Sequence, residues 1–465
     1  MILEQIYLAC LSQASYLIVD EHTKTAAVVD PRRDVAVYLD KAKALGVSIR
    51  HVLLTHFHAD FLAGHLELRA ATGATIHLSA RARAEYAFEP MHDGGVLEFG
   101  DVRLTFLATP GHTPESTSIL VHDLERDRGR PRAVLTGDTL FIGDVGRPDL
   151  MVATGMTAEE LAGLLFDSLR QKLMTLPDET VVYPGHGAGS SCGKNLSSDT
   201  SSTIGVQKKL NHALQPMTKA EFVRLVTADL PPPPAYFAYD AGLNAVEHAT
   251  LEHVLETALQ PLGLDEALRL VEQGAQLLDT RDPDAFAAEH IRGSINIGLG
   301  GRYASWAGTL LDPKKPIVLV AAPGKGAEAA MRLGRIGFDR IAGHLTGGVQ
   351  AAYARPGLIV HGARLTPAAL AERLRAADAP HVVDVRTDGE WNAGHIAGAQ
   401  HLVLDDLARH VAAVPHGREL VVVCKGGYRS SMGASLLRAA GFPAVTDLIG
   451  GMDAWDKAQA VGSPR

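Results

Sequence analysis

The sequence predicts an α/β protein in two parts, a layered N-terminal domain and a repeated pair of small α/β domains. Three observations carry this prediction. Four β-rich apolar runs in the first half each end on a loop bearing histidine or aspartate. Two stretches of the second half match one another at a constant offset of 105 positions. Finally, 465 residues, 46% of them hydrophobic, suffice for about three buried cores.

Composition narrows the function. A net charge of −9 without a basic tract argues against a nucleic-acid binder that works by charge. No apolar run approaches the roughly 20 residues of a membrane-spanning helix, and the N-terminal residues lack the pattern of a secretory signal. No membrane partner is expected. Cys10, Cys192 and Cys424 are far apart and odd in number. They do not form a disulfide framework, so a reducing, cytoplasmic setting is expected.

In chain order, residues 16–20 and 25–30 read as strands around a polar turn, and 34–45 as an amphipathic helix. Residues 49–54 form a buried strand that runs into Thr55-His56-Phe57-His58-Ala59-Asp60-Phe61, before a helix at 66–71. Two imidazoles and a carboxylate thus sit in one loop at a strand's C-terminal end, where open α/β sheets place their chemistry. The alternation of His56 and His58 lets both project the same way. Three more strands follow, ending in Thr109-Pro110-Gly111-His112, in Thr136-Gly137-Asp138 and in Pro184-Gly185-His186. Four such loops in succession indicate one shared metal site.

The motif order resembles the metallo-β-lactamase fold, which implies an αββα sandwich, here over residues 1–250. Two-zinc hydrolases of that fold carry a histidine directly after the aspartate of the first motif; this chain has Phe61. What remains resembles the mononuclear iron persulfide dioxygenases. That resemblance implies His56, His112 and Asp138 as ligands of one Fe²⁺ per chain, with zinc as the alternative. Two histidines and a carboxylate with open positions suit Fe(II) and O₂. His58, Asp60 and His186 match positions that ligate zinc in the hydrolases; in the dioxygenases they stand behind the ligands and orient them. Both roles are open. Arg147, in the glycine-rich stretch 143–149 with Asp144, is read as an organiser of the site or as a structural ion pair. Cys192 lies in a Gly/Ser loop after His186 and is read as a reactive thiol near the metal or as an inert small residue. Lys194 is a candidate for holding an anionic part of a thiol substrate. Residues 231–234, all proline, form a stiff segment ahead of the boundary.

In the second half, Asp279-Thr280-Arg281 parallels Asp384-Val385-Arg386, and His290-Ile291-Arg292-Gly293 parallels His395-Ile396-Ala397-Gly398. Each copy has a later apolar strand, a helix followed by Gly-Phe, and a final Gly-Gly. These features resemble the rhodanese sulfurtransferase domain, with copies expected at 262–356 and 362–465. In the second copy the strand ends at Cys424, followed by Lys425, Gly426, Gly427, Tyr428 and Arg429. A cysteine at a strand end and helix N-terminus has its thiolate stabilised by backbone N–H groups and the helix dipole. Arg429 adds positive charge, and the four intervening residues form the sulfur cradle. The first copy has Ala321 in place of the nucleophile, and Pro323 removes an N–H, so it is read as degenerate.

The whole chain resembles bacterial persulfide dioxygenase–sulfurtransferase fusions. The resemblance implies oxidation of a low-molecular-weight thiol persulfide (glutathione or coenzyme A persulfide) with O₂ to sulfite and thiol. It couples this to sulfur transfer through a Cys424 persulfide, forming or using thiosulfate, in sulfide detoxification. A homo-oligomer is expected. The alternative is a glyoxalase II-like zinc thioester hydrolase fused to a sulfurtransferase domain.

Overall fold

A computed structural model describes residues 1–150 and 155–462, which form two compact units. Unit 1 comprises Met1–His253 with Gly334–Gly337; unit 2 comprises Val254–Leu333 with Phe338–Arg465.

Unit 1 contains two six-stranded sheets. One runs in chain order through β1 (Ile2–Leu8), β2 (Gln13–Asp20), β3 (Thr25–Val29), β4 (Ser48–Leu53), β5 (Thr75–Ser79) and β6 (Glu89–Met91). The other orders β7 (Val96–Phe99), β8 (Val102–Ala108), β9 (Thr117–Asp123), β10 (Ala133–Gly137), β11 (Val181–Pro184) and β12 (Ser202–Thr203). Side-chain alternation explains the layering. Tyr16 and Ile18 of β2 join Leu104, Phe106, Ile119 and Leu135 in a core between the sheets. Leu17 and Val19 of the same strand point the other way, against Tyr38 and Ala42 of α1 (Ala36–Leu45) and Leu68 of α2 (His65–Thr72). On the far side, Val134 and Val182 meet Leu161's neighbours Ala162 and Leu165 of α3 (Ala158–Ser168) and Phe222 of the helix Lys219–Thr227. With both faces covered, all eight residues of β2 are buried. The order is therefore α, β, β, α, and the chemistry-bearing loops leave the C-terminal ends of β4, β8, β10 and β11. A Thr157 and Glu160 capping box starts α3, satisfying otherwise unpaired N–H groups.

Unit 2 contains two five-stranded sheets of like topology. The first orders β13 (Pro261–Leu262), β18 (Ile341–Leu345), β17 (Ile317–Val320), β14 (Gln276–Asp279) and β16 (Ile295–Asn296); β15 (His290–Ile291) pairs separately with β19 (Ile359–Val360). The second orders β20 (Arg364–Leu365), β24 (Val445–Leu448), β23 (Leu420–Val423), β21 (His381–Asp384) and β22 (Gln400–His401). Every pair within these two sheets is parallel. The central strands Ile317–Val320 and Leu420–Val423 are buried on both faces, as uninterrupted β-branched and leucine runs require. No helix of the described residues is long and apolar enough to cross a membrane.

Candidate metal centre and sulfur cradle

The loop after β4 is held by residues far away in sequence. Asp30, buried at the end of β3, accepts hydrogen bonds from the Thr55 backbone N–H and hydroxyl, both at 2.8 Å. With its proton committed to Asp30, the Thr55 hydroxyl accepts from His56 Nδ1 at 3.0 Å. The lone pair of His56 therefore lies on Nε2. Asp30 Oδ1 is also 3.0 Å from His58 Nε2. Asn244, fully buried, donates to the carbonyls of His58 and Phe61 and accepts from the Ala63 N–H, closing the loop from behind.

His112 is fixed in the same manner. Its Nδ1–H donates to the Arg147 carbonyl at 2.8 Å, which leaves Nε2 as the unprotonated nitrogen. That nitrogen is buried, has no hydrogen-bond partner among the described residues, and lies 3.5 Å from Asp138 Oδ2. His56 Nε2 is 3.9 Å from the same oxygen. One donor atom from each of His56, His112 and Asp138 falls within 4.8 Å of the others. Two unprotonated imidazole nitrogens and a carboxylate oxygen, all buried and convergent, form a donor set that fits a divalent transition metal.

Behind Asp138 stands His186, whose Nδ1 is 2.8 Å from Asp138 Oδ1 and whose Nε2 is 2.9 Å from Asp60 Oδ2. Burial works against ionisation of Asp138. The positive field of His186, its hydrogen bond and the neighbouring histidines outweigh that, holding the carboxyl well below its usual range. Burial likewise opposes protonation of His186, but Asp138 and Asp60 raise it well above the ordinary histidine value. Burial pushes the Cys192 thiol up, reinforced by Asp60 and Asp138. Gly185 is required here, because a Cβ on it would fall 2.5 Å from Asp138 Oδ1.

The structure thus brings His56, His112 and Asp138 into one group, and Asp60, His186 and Cys192 into a second buried group. His58 lies beside the first group, its ring 4.2 Å from that of His56 and 4.3 Å from that of Phe61. The Arg147 side chain pairs with Asp149 through two 2.7 Å contacts and donates to the Pro231 carbonyl, while its backbone serves His112. Lys194 is exposed, with its ammonium on the Ala228 carbonyl. Sequence reasoning passed over Asp30, Thr55 and Asn244. An aspartate ending a strand and a threonine opening a histidine loop are weak signals until the fold joins them.

In unit 2, Cys424 is buried, and its sulfur accepts from the Gly427 N–H at 3.1 Å. Gly427 has φ 90°, and a Cβ there would press on the Gly450 backbone nitrogen at 2.9 Å, so glycine is needed for the curl. The helix Tyr428–Ala439 begins at once, which places its N-terminus beside the sulfur. Ser430 Oγ is 3.5 Å from the sulfur and donates to Asp447, itself paired with Arg364. Arg429 forms a two-contact pair with Glu390 at 2.7 and 2.8 Å. Burial opposes ionisation of Glu390, but the Arg429 pair pulls its carboxyl down to about 2. Lys425 and Gly426 are exposed at the mouth. The first copy grips the start of this helix: Tyr428 donates to the Gly298 carbonyl at 2.6 Å, and Ser431 to Asn296 Oδ1 at 2.7 Å.

Residues 8–186 match the Metallo-beta-lactamase superfamily, and residues 263–355 and 366–458 each match the Rhodanese-like domain. Human mitochondrial persulfide dioxygenase ETHE1 is 27% identical over 234 residues, 50% of this chain and 83% of that protein. A hydroxyacylglutathione hydrolase of Polaromonas sp. is 34% identical over 190 residues, 40% of this chain and 66% of that protein. The crystal structure of a metallo-beta-lactamase from Staphylococcus aureus aligns with a TM-score of 0.65 at 31% identity, covering 74% of this chain and 98% of that one. The chain belongs to the metallo-beta-lactamase superfamily and carries two tandem rhodanese-like domains behind that domain.

Proposed function

We propose that the chain is a non-haem Fe(II) persulfide dioxygenase joined to a working sulfurtransferase, with domains at 1–250, 262–356 and 362–465. The observation that supports this most is the buried His56, His112 and Asp138 group, with the unpartnered His112 Nε2 facing Asp138. Phe61, buried against His58, stands where a two-metal hydrolase has a further histidine.

His56, His112 and Asp138 would hold the iron, which supplies open positions for O₂ and for a persulfide sulfur. Thr55 and the Arg147 carbonyl keep both imidazoles in the ligating tautomer, and His186 keeps Asp138 ionised. In the net reaction O₂ takes four electrons from the terminal sulfur of R–S–SH. Water supplies the third oxygen of sulfite, and R–SH leaves with two protons released. In the second rhodanese copy, the Cys424 thiolate attacks the sulfane sulfur of thiosulfate. The S–S bond breaks, sulfite leaves, and Cys424 carries the persulfide; the reverse step makes thiosulfate. The Gly427 N–H and the helix N-terminus stabilise the anionic sulfur in either direction. Partners on this reading are a glutathione or coenzyme A persulfide, O₂, and sulfite or thiosulfate, in the cytoplasm and in a homo-oligomer.

Oxygen uptake on adding a thiol persulfide tests the reading: uptake with iron-loaded protein and none with zinc-loaded protein is expected. A second reading, a zinc thioester hydrolase, is favoured by the second donor group of Asp60, His186 and Cys192. Thioester hydrolysis by the zinc form, with no oxygen uptake by the iron form, would select it.

A further inference from the structure

The first rhodanese copy has lost its catalytic side chains but kept the space they would occupy. Ala321 stands at the position of Cys424, Gly326 at that of Arg429, and Ala285 at that of Glu390. A cavity of about 610 Å³ lies beside the first two of these, with Ala321, Ala322, Pro323 and Gly326 in its wall. That volume is in the range of sites that enclose small organic ligands, roughly 300–1,000 Å³.

Four polar side chains line it: Arg281, Glu289, His344 and Gln350. Arg281 spends Nε and Nη2 on Asp279 and on the Glu289 carbonyl; Nη1 makes no hydrogen bond among the described residues. Glu289 accepts the Tyr353 hydroxyl on Oε1 at 2.6 Å, leaving Oε2. Glu289 and His344 are not inherited from the catalytic pattern, since the second copy has Gly394 and Asp447 at those positions.

We propose that this cavity is a non-catalytic binding site for a zwitterionic small molecule of the amino-acid or short-peptide class. Arg281 takes its carboxylate and Glu289 its ammonium, with the His344 ring in the wall. With no nucleophile at position 321 the bound molecule is held without reaction. On the dioxygenase reading, on which this clause rests, the member of that class presented to the chain is a peptide thiol carrier.

The test is calorimetric titration of the full-length, iron-loaded Cys424→Ser protein with S-methylglutathione. N-acetyl-S-methylglutathione, which lacks the ammonium, and coenzyme A serve as comparators. Beside any binding at the iron site, one further molecule per chain should bind with Kd below about 1 mM. Glu289→Gln should weaken it about tenfold or more, as should acetylation, and Ala322→Phe should abolish it by filling the cavity. Circular dichroism checks that each variant is folded, and His344→Ala provides a second disruption of the site. Absence of binding, binding indifferent to all three substitutions, or equal binding of coenzyme A would overturn the proposal. Oxygen uptake is measured on the same samples. Its absence alongside Glu289-dependent binding would remove the dioxygenase reading and leave this site standing.

Discussion

In both rhodanese copies an aspartate closes a loop through an arginine two residues on. Asp279 holds Arg281 in the first and Asp384 holds Arg386 in the second; each arginine also donates to a carbonyl eight residues further, at Glu289 and at Gly394. An aromatic ring four residues before a histidine stacks on it in each copy, Phe286 on His290 and Trp391 on His395. The frames are equivalent, yet one ends in a sulfur cradle and the other in an open cavity. The difference lies in a few side chains at the strand end and helix start. The frame is thus kept without the cysteine, and the second copy combines the thiol, a donating N–H at Gly427 and an arginine tied in place by Glu390.

The largest expected effect separates the copies outright. Cys424→Ser should remove thiosulfate-dependent sulfur transfer, whereas Ala321→Cys should create none, because Pro323 lacks an N–H and Gly326 supplies no charge. A cyanide-trapping assay reads both, and transfer by the Ala321→Cys, Cys424→Ser double variant would break the comparison.

A smaller effect tests the support one copy gives the other. Asn296→Ala leaves the Ser431 hydroxyl and buried groups around it unpaired, at a cost of about 1–3 kcal/mol. Tyr428→Phe removes the bond to Gly298. Both should slow transfer while leaving oxygen uptake unchanged. Full transfer by both variants would show that the second copy needs no such hold.

In unit 1, Thr55→Val removes the acceptor that orients His56 and should weaken metal binding about 10–100-fold, leaving sulfur transfer intact. Metal content after dialysis against a graded chelator measures this.

The smallest effects are in pH dependence. Burial lowers His290 from its ordinary 6.5 to about 4. The unfolded chain therefore binds the proton first, and the stability contributed by neutral His290 is full above about pH 6.5 and falls towards pH 4. His290→Asn should remove that slope in thermal unfolding. Glu390 behaves as a depressed carboxyl: its pairing with Arg429 contributes above about pH 4.3 and is lost as pH falls through about 2. Glu390→Gln should therefore lower stability at neutral pH and cease to matter in strong acid.

Much of the architecture was legible because local patterns carried it. The β-rich run at residues 16–20, the strand-end histidines and the short motifs that recur 105 positions apart are each visible within short windows. The metal-facing geometry was legible only as a set of loops. What was hidden depends on contacts between distant residues: Asp30 reaches Thr55 across 25 positions, and Asn244 reaches His58 across 186. The same holds for Glu390 with Arg429 and for Asn296 with Ser431, where either partner alone is an ordinary polar residue. The cavity of the first copy was hidden because side-chain loss reads as decay in a sequence, while Glu289 and His344 acquire meaning only once they line a common space.

Two separate sulfur sites in one chain, one of them oxidative, should fail independently of one another. Feeding a thiol persulfide to iron-loaded Asp138→Ala and Cys424→Ser proteins, while following O₂, sulfite and thiosulfate together, tests this most directly. The first should show no oxygen uptake with intact thiosulfate-dependent transfer, and the second undiminished uptake with sulfite as the end product. Loss of both activities in either variant, or undiminished oxygen uptake by Asp138→Ala, would contradict it.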